Sequence, residues 1–341
     1  MILKDMTLSG LRDWMRGHGE PTFRGDQVFG WLYRHEAESL SQMKNIGEGL
    51  RSKLEGEGSG GLMTLSSEKT LKSKDGTHKF LFKTADGLII ETALMPYSYG
   101  VSVCVSSQAG CRMGCAFCAS GIKGLIRNLS PGEMADQVLL AGMISGMKPT
   151  HVVVMGTGEP MDNIENLMSF LGIICEPSGL GISRRRVTVS TCGLLKPFEE
   201  FWRAWPQVGL AISLHATDDR IRRSLIPTSK SAGVDALIEA ARACAEGTGR
   251  RVTFEYALIK DINDGEGHAR ILAAKLKGML CHVNLIALNP VPETDFKPSG
   301  SKAAAAFQAV LEEAGTNVTL RREMGRDIAA ACGQLRISQG F

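Results

Sequence analysis

Six short runs rich in β-branched residues, separated by helix-period patterns, decide what this chain can fold into. They occupy residues 101–105, 151–155, 186–190, 208–213, 251–258 and 282–288, with helical patterns such as 235–245 and 301–314 alongside them. Strands joined by helical crossovers lie parallel, because a right-handed strand–helix–strand unit is the economical connection. Six strands fall short of the eight that close a full barrel, so the expected class is α/β with a partial (β/α)6 barrel. In such folds chemistry gathers at the carboxyl ends of the strands.

Two further units precede this core. Residues 1–61 read as a small helical domain, with apolar stripes at Leu8, Leu11 and Met15, at Val28, Trp31 and Leu32, and at Met43, Ile46, Leu50 and Leu54. The glycine-rich stretch 56–61 is its linker. Residues 62–96 read as a β-meander with tight turns at Asp75-Gly76 and Asp86-Gly87. The core then runs over 97–320 and a C-terminal tail over 321–341. Within the core, Ser130-Pro131-Gly132-Glu133 is a capping box that opens a helix through about residue 142.

With 39 Lys and Arg against 36 Asp and Glu, the net charge of +3 argues neither for nor against a nucleic-acid partner. The opening Met1-Ile2-Leu3-Lys4-Asp5-Met6 carries charge where a signal peptide is apolar, and no stretch of about 18 apolar residues offers a membrane span. A soluble, cytoplasmic protein with no membrane partner is expected.

Nine cysteines, an odd number with no export signal, do not form a disulfide framework. Cys111, Cys115 and Cys118 crowd into one C-x3-C-x2-C segment just after the first core strand. Three thiolates there can hold three irons of a [4Fe–4S] cluster and leave the fourth open to a chelating ligand. Zinc is the competing metal. It needs a fourth ligand, and no His or Cys follows at finger spacing. A non-catalytic, zinc-stapled RNA-binding module is the alternative of a different class. Gly156-Thr157-Gly158-Glu159-Pro160 closes the second strand, and Ser190 and Ser213-Leu214-His215 end the third and fourth. Taken alone, His215 reads as a core histidine, and Cys175, Cys192, Cys244 and Cys281 read as core thiols.

The cysteine spacing, with Phe117 before the last Cys, resembles the signature of the radical S-adenosylmethionine (SAM) superfamily, and Gly156–Pro160 resembles its GGEP-type turn. The rest of the chain resembles the RlmN family and its resistance relative Cfr. The likeness rests on 104–111 (CVSSQAGC), 124–129 (GLIRNL), 186–191 (RVTVST), Asn289-Pro290 and 325–335 (GRDIAAACGQL), and extends to 23–27 and 31–33. Thr157 departs from it, standing where many members carry an apolar residue.

The resemblance implies a SAM-dependent RNA methyltransferase acting on C2 of adenine 2503 in 23S rRNA and adenine 37 in tRNAs. Cfr-type methylation of C8 is the nearer alternative. It further implies a [4Fe–4S] cluster on Cys111, Cys115 and Cys118, and SAM contacts at Gly158, Glu159, Ser190, Ser213, Leu214, His215 and Asn289. Two SAM molecules serve each turnover. The first methylates Cys332; the second yields a radical that takes hydrogen from that S-methyl group, which then adds to adenine. Cys104 matches the position that helps remove the C2 proton and releases the product through a transient disulfide with Cys332, Glu91 matches the proton acceptor, and which of the two takes the C2 proton stays open. A flavodoxin-like electron donor, a monomeric state and an RNA-binding role for residues 1–61 are also implied. Arg184-Arg185-Arg186, Arg220, Arg222-Arg223, Arg250-Arg251 and Arg321-Arg322 are candidate phosphate contacts, and a base must be unstacked to reach a buried cluster.

Overall fold

The structure is a computed structural model that describes residues 2–57, 61–228, 232–289, 291–321, 324–330, 333–335 and 338–339. Helix α1 (Leu8–Gly17) begins where the Thr7 hydroxyl accepts from the Gly10 amide, and it buries Leu8, Leu11 and Met15, the stripe set by the 3.6 period. It crosses α2 (Phe23–Tyr33) so closely that a Cβ on Gly25 would meet the Arg12 nitrogen at 2.9 Å. The third stripe divides. Leu50 and Leu54 belong to α3 (Glu48–Gly56), whereas Met43 and Ile46 are buried in the turn before it, because the helix starts only after Gly47. Residues 58–60 of the linker lie outside the described residues.

Strands β1 (Leu65–Lys72), β2 (His78–Thr84) and β3 (Leu88–Tyr97) form the antiparallel meander. Its turns place Gly76 and Gly87 at φ +89° and +85°, the left-handed conformation that glycine adopts without strain. Strand β3 then pairs antiparallel with β4 (Gly100–Val105), so meander and core share one sheet. A separate hairpin of β5 (Gln108–Gly110) and β6 (Leu125–Asn128) brackets the cysteine segment. Beyond it come α4 (Pro131–Ser145), β7 (His151–Val154), α5 (Ile164–Ile174), β8 (Val187–Thr191), α6 (Leu195–Ala204), β9 (Gly209–Ser213), α7 (Asp219–Leu225) and α8 (Val234–Thr248). The chain continues through β10 (Val252–Leu258), α9 (Glu266–Leu276), β11 (Cys281–Ala287), α10 (Ser301–Glu313), β12 (Val318–Leu320) and β13 (Ser338–Gln339).

Strands β4, β7, β8, β9, β10 and β11 are the six expected parallel strands, in that spatial order. A seventh, β12, adds to β11; three residues with mostly exposed side chains left no readable pattern. Strand β13 returns to pair with β3. Among the described residues no helix is long and apolar enough to cross a membrane.

Helix α4 opens on the expected box: the Ser130 hydroxyl accepts from the Glu133 amide, and the Glu133 carboxylate accepts from Ser130 N–H. It also anchors the N-terminal helices. The Lys4 ammonium meets the Asp136 carboxylate with both side chains fully buried, and Asp136 also accepts from the Thr64 amide and hydroxyl. Breaking a buried pair from one side strands a charge. Lys4→Ala should therefore lower unfolding free energy by about 3–5 kcal/mol in urea titrations, and the double change Lys4→Met with Asp136→Leu should lose clearly less.

Candidate active site

At the carboxyl ends of β4 and β7 two segments lock together. The Thr157 carbonyl accepts from the amides of Ser107 and Gln108, the Ser106 hydroxyl accepts from Thr157 N–H, and the Gln108 side-chain oxygen accepts from Glu159 N–H. The fit needs glycine. Gly158 lies at φ +114°, and a Cβ there would sit 2.6 Å from the Ser107 hydroxyl; one on Gly156 would meet the Val105 carbonyl at 2.8 Å. The side chain of Thr157 is buried, and its hydroxyl has no hydrogen-bond partner.

The strand continues through β5 into the cysteines. Gly110 turns at φ +82° beneath Gly124, whose carbonyl accepts from the Cys111 amide. The Ala116 amide donates to the Leu225 carbonyl, fastening the loop to α7. Cys111, Cys115 and Cys118 thereby line one open cavity of roughly 990 Å³, together with Gly158, Glu159, Ser190, Ser213, His215 and Asn289.

The thiols are poorly placed to ionise alone. Burial pushes Cys111 up to about 12 against a backbone hydrogen bond from Met113, and the charges of Glu159 and Cys118 push the same way. Burial also raises Cys115, followed by the charges of Cys118 and Cys111. Bound cations reverse that balance by taking thiolates as ligands. Among the described residues no three His, Cys, Asp or Glu side chains converge on a single-ion site. Three soft thiols facing a shared cavity suit a cluster that takes one thiolate per iron.

Glu159 is buried; its carboxylate accepts from the amides of Met161 and Cys192, and burial raises its pKa. His215 lies at φ +55°, held there by Asn263, whose side-chain amide donates to the His215 carbonyl. Its Nδ1 accepts from the Ala257 amide, which leaves the proton of the neutral ring on Nε2. Phe117 of the cysteine loop meets the ring edge-on, with centroids 5.0 Å apart. Leu214 does not line the cavity. It is buried beneath it, its amide donating to the Glu255 carbonyl and its carbonyl accepting from Arg222.

Glu91 and Cys104 stand on adjacent strands behind the cavity. The Glu91 carboxylate pairs with the buried Lys79 ammonium at 2.9 Å, and that ammonium also donates to the Ala329 carbonyl. Cys104, opposite Ala93 in register, packs with Ala93, Met95, Ala330 and Leu335. Cys332 lies outside the described residues, but its flanks are fixed. Upstream, Gly325 N–H donates to Asp75, and Asp327 accepts from the Ser73 hydroxyl. Downstream, the Gly333 and Leu335 carbonyls accept from the Ala119 amide and the Ser120 hydroxyl, immediately after Cys118. Gly333 itself lines the cavity.

Several residues in or under the cavity escaped the sequence reading. Cys192 lines it, whereas Cys244 and Cys281 are core thiols as expected. Arg222, expected at an RNA surface, is 1 % exposed and donates to the carbonyls of Cys192, Ser213 and Leu214, tying the ends of β8 and β9 together. Arg321, named from the sequence only as a candidate phosphate contact, and Glu255 also line the cavity. Glu255 had one visible signal, a carboxylate inside an otherwise uncharged strand. Of the other arginines, Arg322 lies outside the described residues, and Arg184 rests on the Trp205 ring, 4.8 Å from its centroid.

Residues 105–271 match the family model of the radical SAM superfamily, and residues 1–58 match that of the ribosomal RNA large subunit methyltransferase N-terminal domain. The fold and the three-cysteine cavity are those of a radical SAM enzyme, a superfamily whose members use a [4Fe–4S] cluster and SAM. A radical SAM methyltransferase from Sphaerobacter thermophilus superposes with a TM-score of 0.92 at 42% identity, covering 98% of this chain and 99% of that one. Proteins named probable dual-specificity RNA methyltransferase RlmN are 47% identical in Desulforamulus reducens and 45% in Clostridium perfringens; each alignment covers 98% of this chain and, respectively, 95% and 96% of the relative. The chain belongs to the RlmN family. That membership removes the alternative of a non-catalytic zinc module.

Burial, followed by the charge of Arg222, drives the His215 pKa down to about 3 from 6.5. Between those values the unfolded chain binds a proton that the folded chain refuses, so unfolding free energy falls as pH drops from 6.5 toward 3. Above 6.5 the effect vanishes. Unfolding free energies from denaturant titrations across that range should fall by up to roughly 1.4 kcal/mol per pH unit more steeply in wild type than in His215→Gln, which removes the titrating group.

Proposed function

We propose that the chain is a radical SAM methyltransferase of RNA that places a methyl group on C2 of adenine 2503 in 23S rRNA and adenine 37 in tRNAs, through a methyl carried on Cys332. The observation that carries this reading is the path of the C-terminal segment. Gly333, the residue after Cys332, lines the same cavity as the three loop cysteines and Gly158-Glu159, while Ala330, two residues before Cys332, shares a buried apolar cluster with Cys104.

In this reading Cys111, Cys115 and Cys118 hold three irons. Gly158, Glu159, Ser190, Ser213, His215 and Asn289 surround SAM, with Leu214 acting through its backbone. When bound, cluster and SAM together supply a 5′-deoxyadenosyl radical, which suits a ring carbon too electron-poor and a C–H bond too weakly acidic for polar methyl transfer. The chain supplies the rest. The Cys332 thiol receives a methyl group from a first SAM, and a second SAM is consumed in the transfer. Glu91, held by Lys79 beside the C-terminal segment, accepts the C2 proton. Cys104 attacks the Cys332 sulfur, breaking its bond to the methylene carbon on the base and forming a disulfide that a reductant reopens, while the released carbon takes up a proton to become the methyl group. A flavodoxin-like protein is the electron donor, the enzyme works as a monomer, and residues 1–61 form an RNA-binding accessory domain.

The test is anaerobic reconstitution, reaction with SAM, reductant and RNA, then nucleoside mass spectrometry. Wild type should give 2-methyladenosine and Cys332→Ala none. 8-Methyladenosine would move the protein to the Cfr branch, and product from Cys332→Ala would refute the thiol relay.

A further inference from the structure

We propose that Glu255 is a cofactor-binding residue whose carboxylate accepts a hydrogen bond from a ribose hydroxyl of SAM in the cavity. This rests on the reading of the cavity as the SAM site. Glu255 stands in the middle of β10 and is 4 % exposed. One carboxylate oxygen, Oε1, accepts from the Asn284 side-chain amide at 3.1 Å; the other, Oε2, is buried with no hydrogen-bond partner. Burying an unpartnered carboxylate oxygen is costly, and such groups in native proteins have a reason. Here the residue lines the cavity, so a donor on a bound ligand supplies one.

The sheet register says which part of the ligand that is. Glu255 pairs with Ser213 on β9 and with Asn284 on β11, and the Ser213 hydroxyl lies 3.5 Å from that of Ser190 on β8. Ser190, Ser213 and Glu255 make a polar row on the cavity wall, one, two and three strands away from β7, whose following turn carries Gly158 and Glu159. A SAM molecule held by its amino-acid end at the cysteines and that turn sends its nucleoside half toward β9–β11. The donors there are the two ribose hydroxyls and the adenine amine, and a carboxylate taking a ribose hydroxyl is a recurrent solution in nucleotide sites. Burial raises the Glu255 pKa, while the charge of Arg321, also on the cavity wall, opposes that rise.

The test is equilibrium binding of SAM and its 2′-deoxy, 3′-deoxy and N6-methyl analogues to reconstituted wild type, Glu255→Ala and Glu255→Gln, with cluster absorbance as the check on integrity. A hydrogen bond to a charged group predicts that Glu255→Ala weakens SAM binding on the order of tenfold or more, with Glu255→Gln in between. One deoxy analogue should bind wild type as weakly as SAM binds Glu255→Ala, and should lose nothing further in that variant. Losses that add for both deoxy analogues, unchanged SAM affinity, or coupling to the N6-methyl analogue alone would overturn the proposal. Should Glu255→Ala fail to keep its cluster, Glu255→Gln completes the same cycle. Wild type that binds no SAM would overturn the cavity reading itself; SAM held equally by wild type and both variants would overturn only the role of Glu255.

Discussion

The Thr157 carbonyl, shared by the amides of Ser107 and Gln108, is the contact on which the arrangement of the site depends. It joins the turn after β7 to the strand end that leads into the cysteines, so the two segments move as one. Glycine makes the approach possible, since any Cβ at Gly156 or Gly158 would collide with residues 105–108. Glu159 extends the link by accepting from the Cys192 amide at the end of β8, and Arg222 continues it by gathering carbonyls from the ends of β8 and β9. The rim is thus stitched from strand to strand by buried polar groups, which is costly unless each finds partners.

A second set of contacts brings the C-terminal segment to this rim. Its upstream half is fixed to the meander through Ser73, Asp75 and Lys79, and its downstream half to the cysteine loop through Ala119 and Ser120. The meander therefore does more than extend the sheet. It carries Glu91 on β3, two residues from the register partner of Cys104 on β4, and offers the C-terminal segment a place to dock. Sequence-distant residues are gathered at one end of one sheet, as open α/β architectures arrange their chemistry.

Much of the fold was legible because its signals are local. Alternation of β-branched runs with helical periods marked six of the seven parallel strands among the described residues, Asp-Gly dipeptides marked the meander turns, and Ser130 with Glu133 marked the start of α4. The strand β12 escaped because three half-exposed residues carry no period. The continuity of meander and core escaped because strand pairing is a tertiary event. Within the site, cysteine spacing and glycine turns were readable, since each demands particular residue types at fixed offsets. Arg222 was misread as a surface charge: nothing local distinguishes an arginine facing solvent from one buried on three strand-end carbonyls. Cys192 was misread as a core thiol for a similar reason, its place on the cavity wall being set by β8 and not by its neighbours in sequence.

The proposed methyl relay requires the cysteine loop, the Gly156–Pro160 turn and the C-terminal segment to share one chamber with Cys332. Peptide mass spectrometry tests it most directly, using reconstituted enzyme treated with methyl-labelled SAM in the absence of RNA. One labelled methyl is expected on the tryptic peptide 327–336, located on Cys332. Label confined to another cysteine, or an unmodified peptide from enzyme that goes on to methylate RNA, would contradict it.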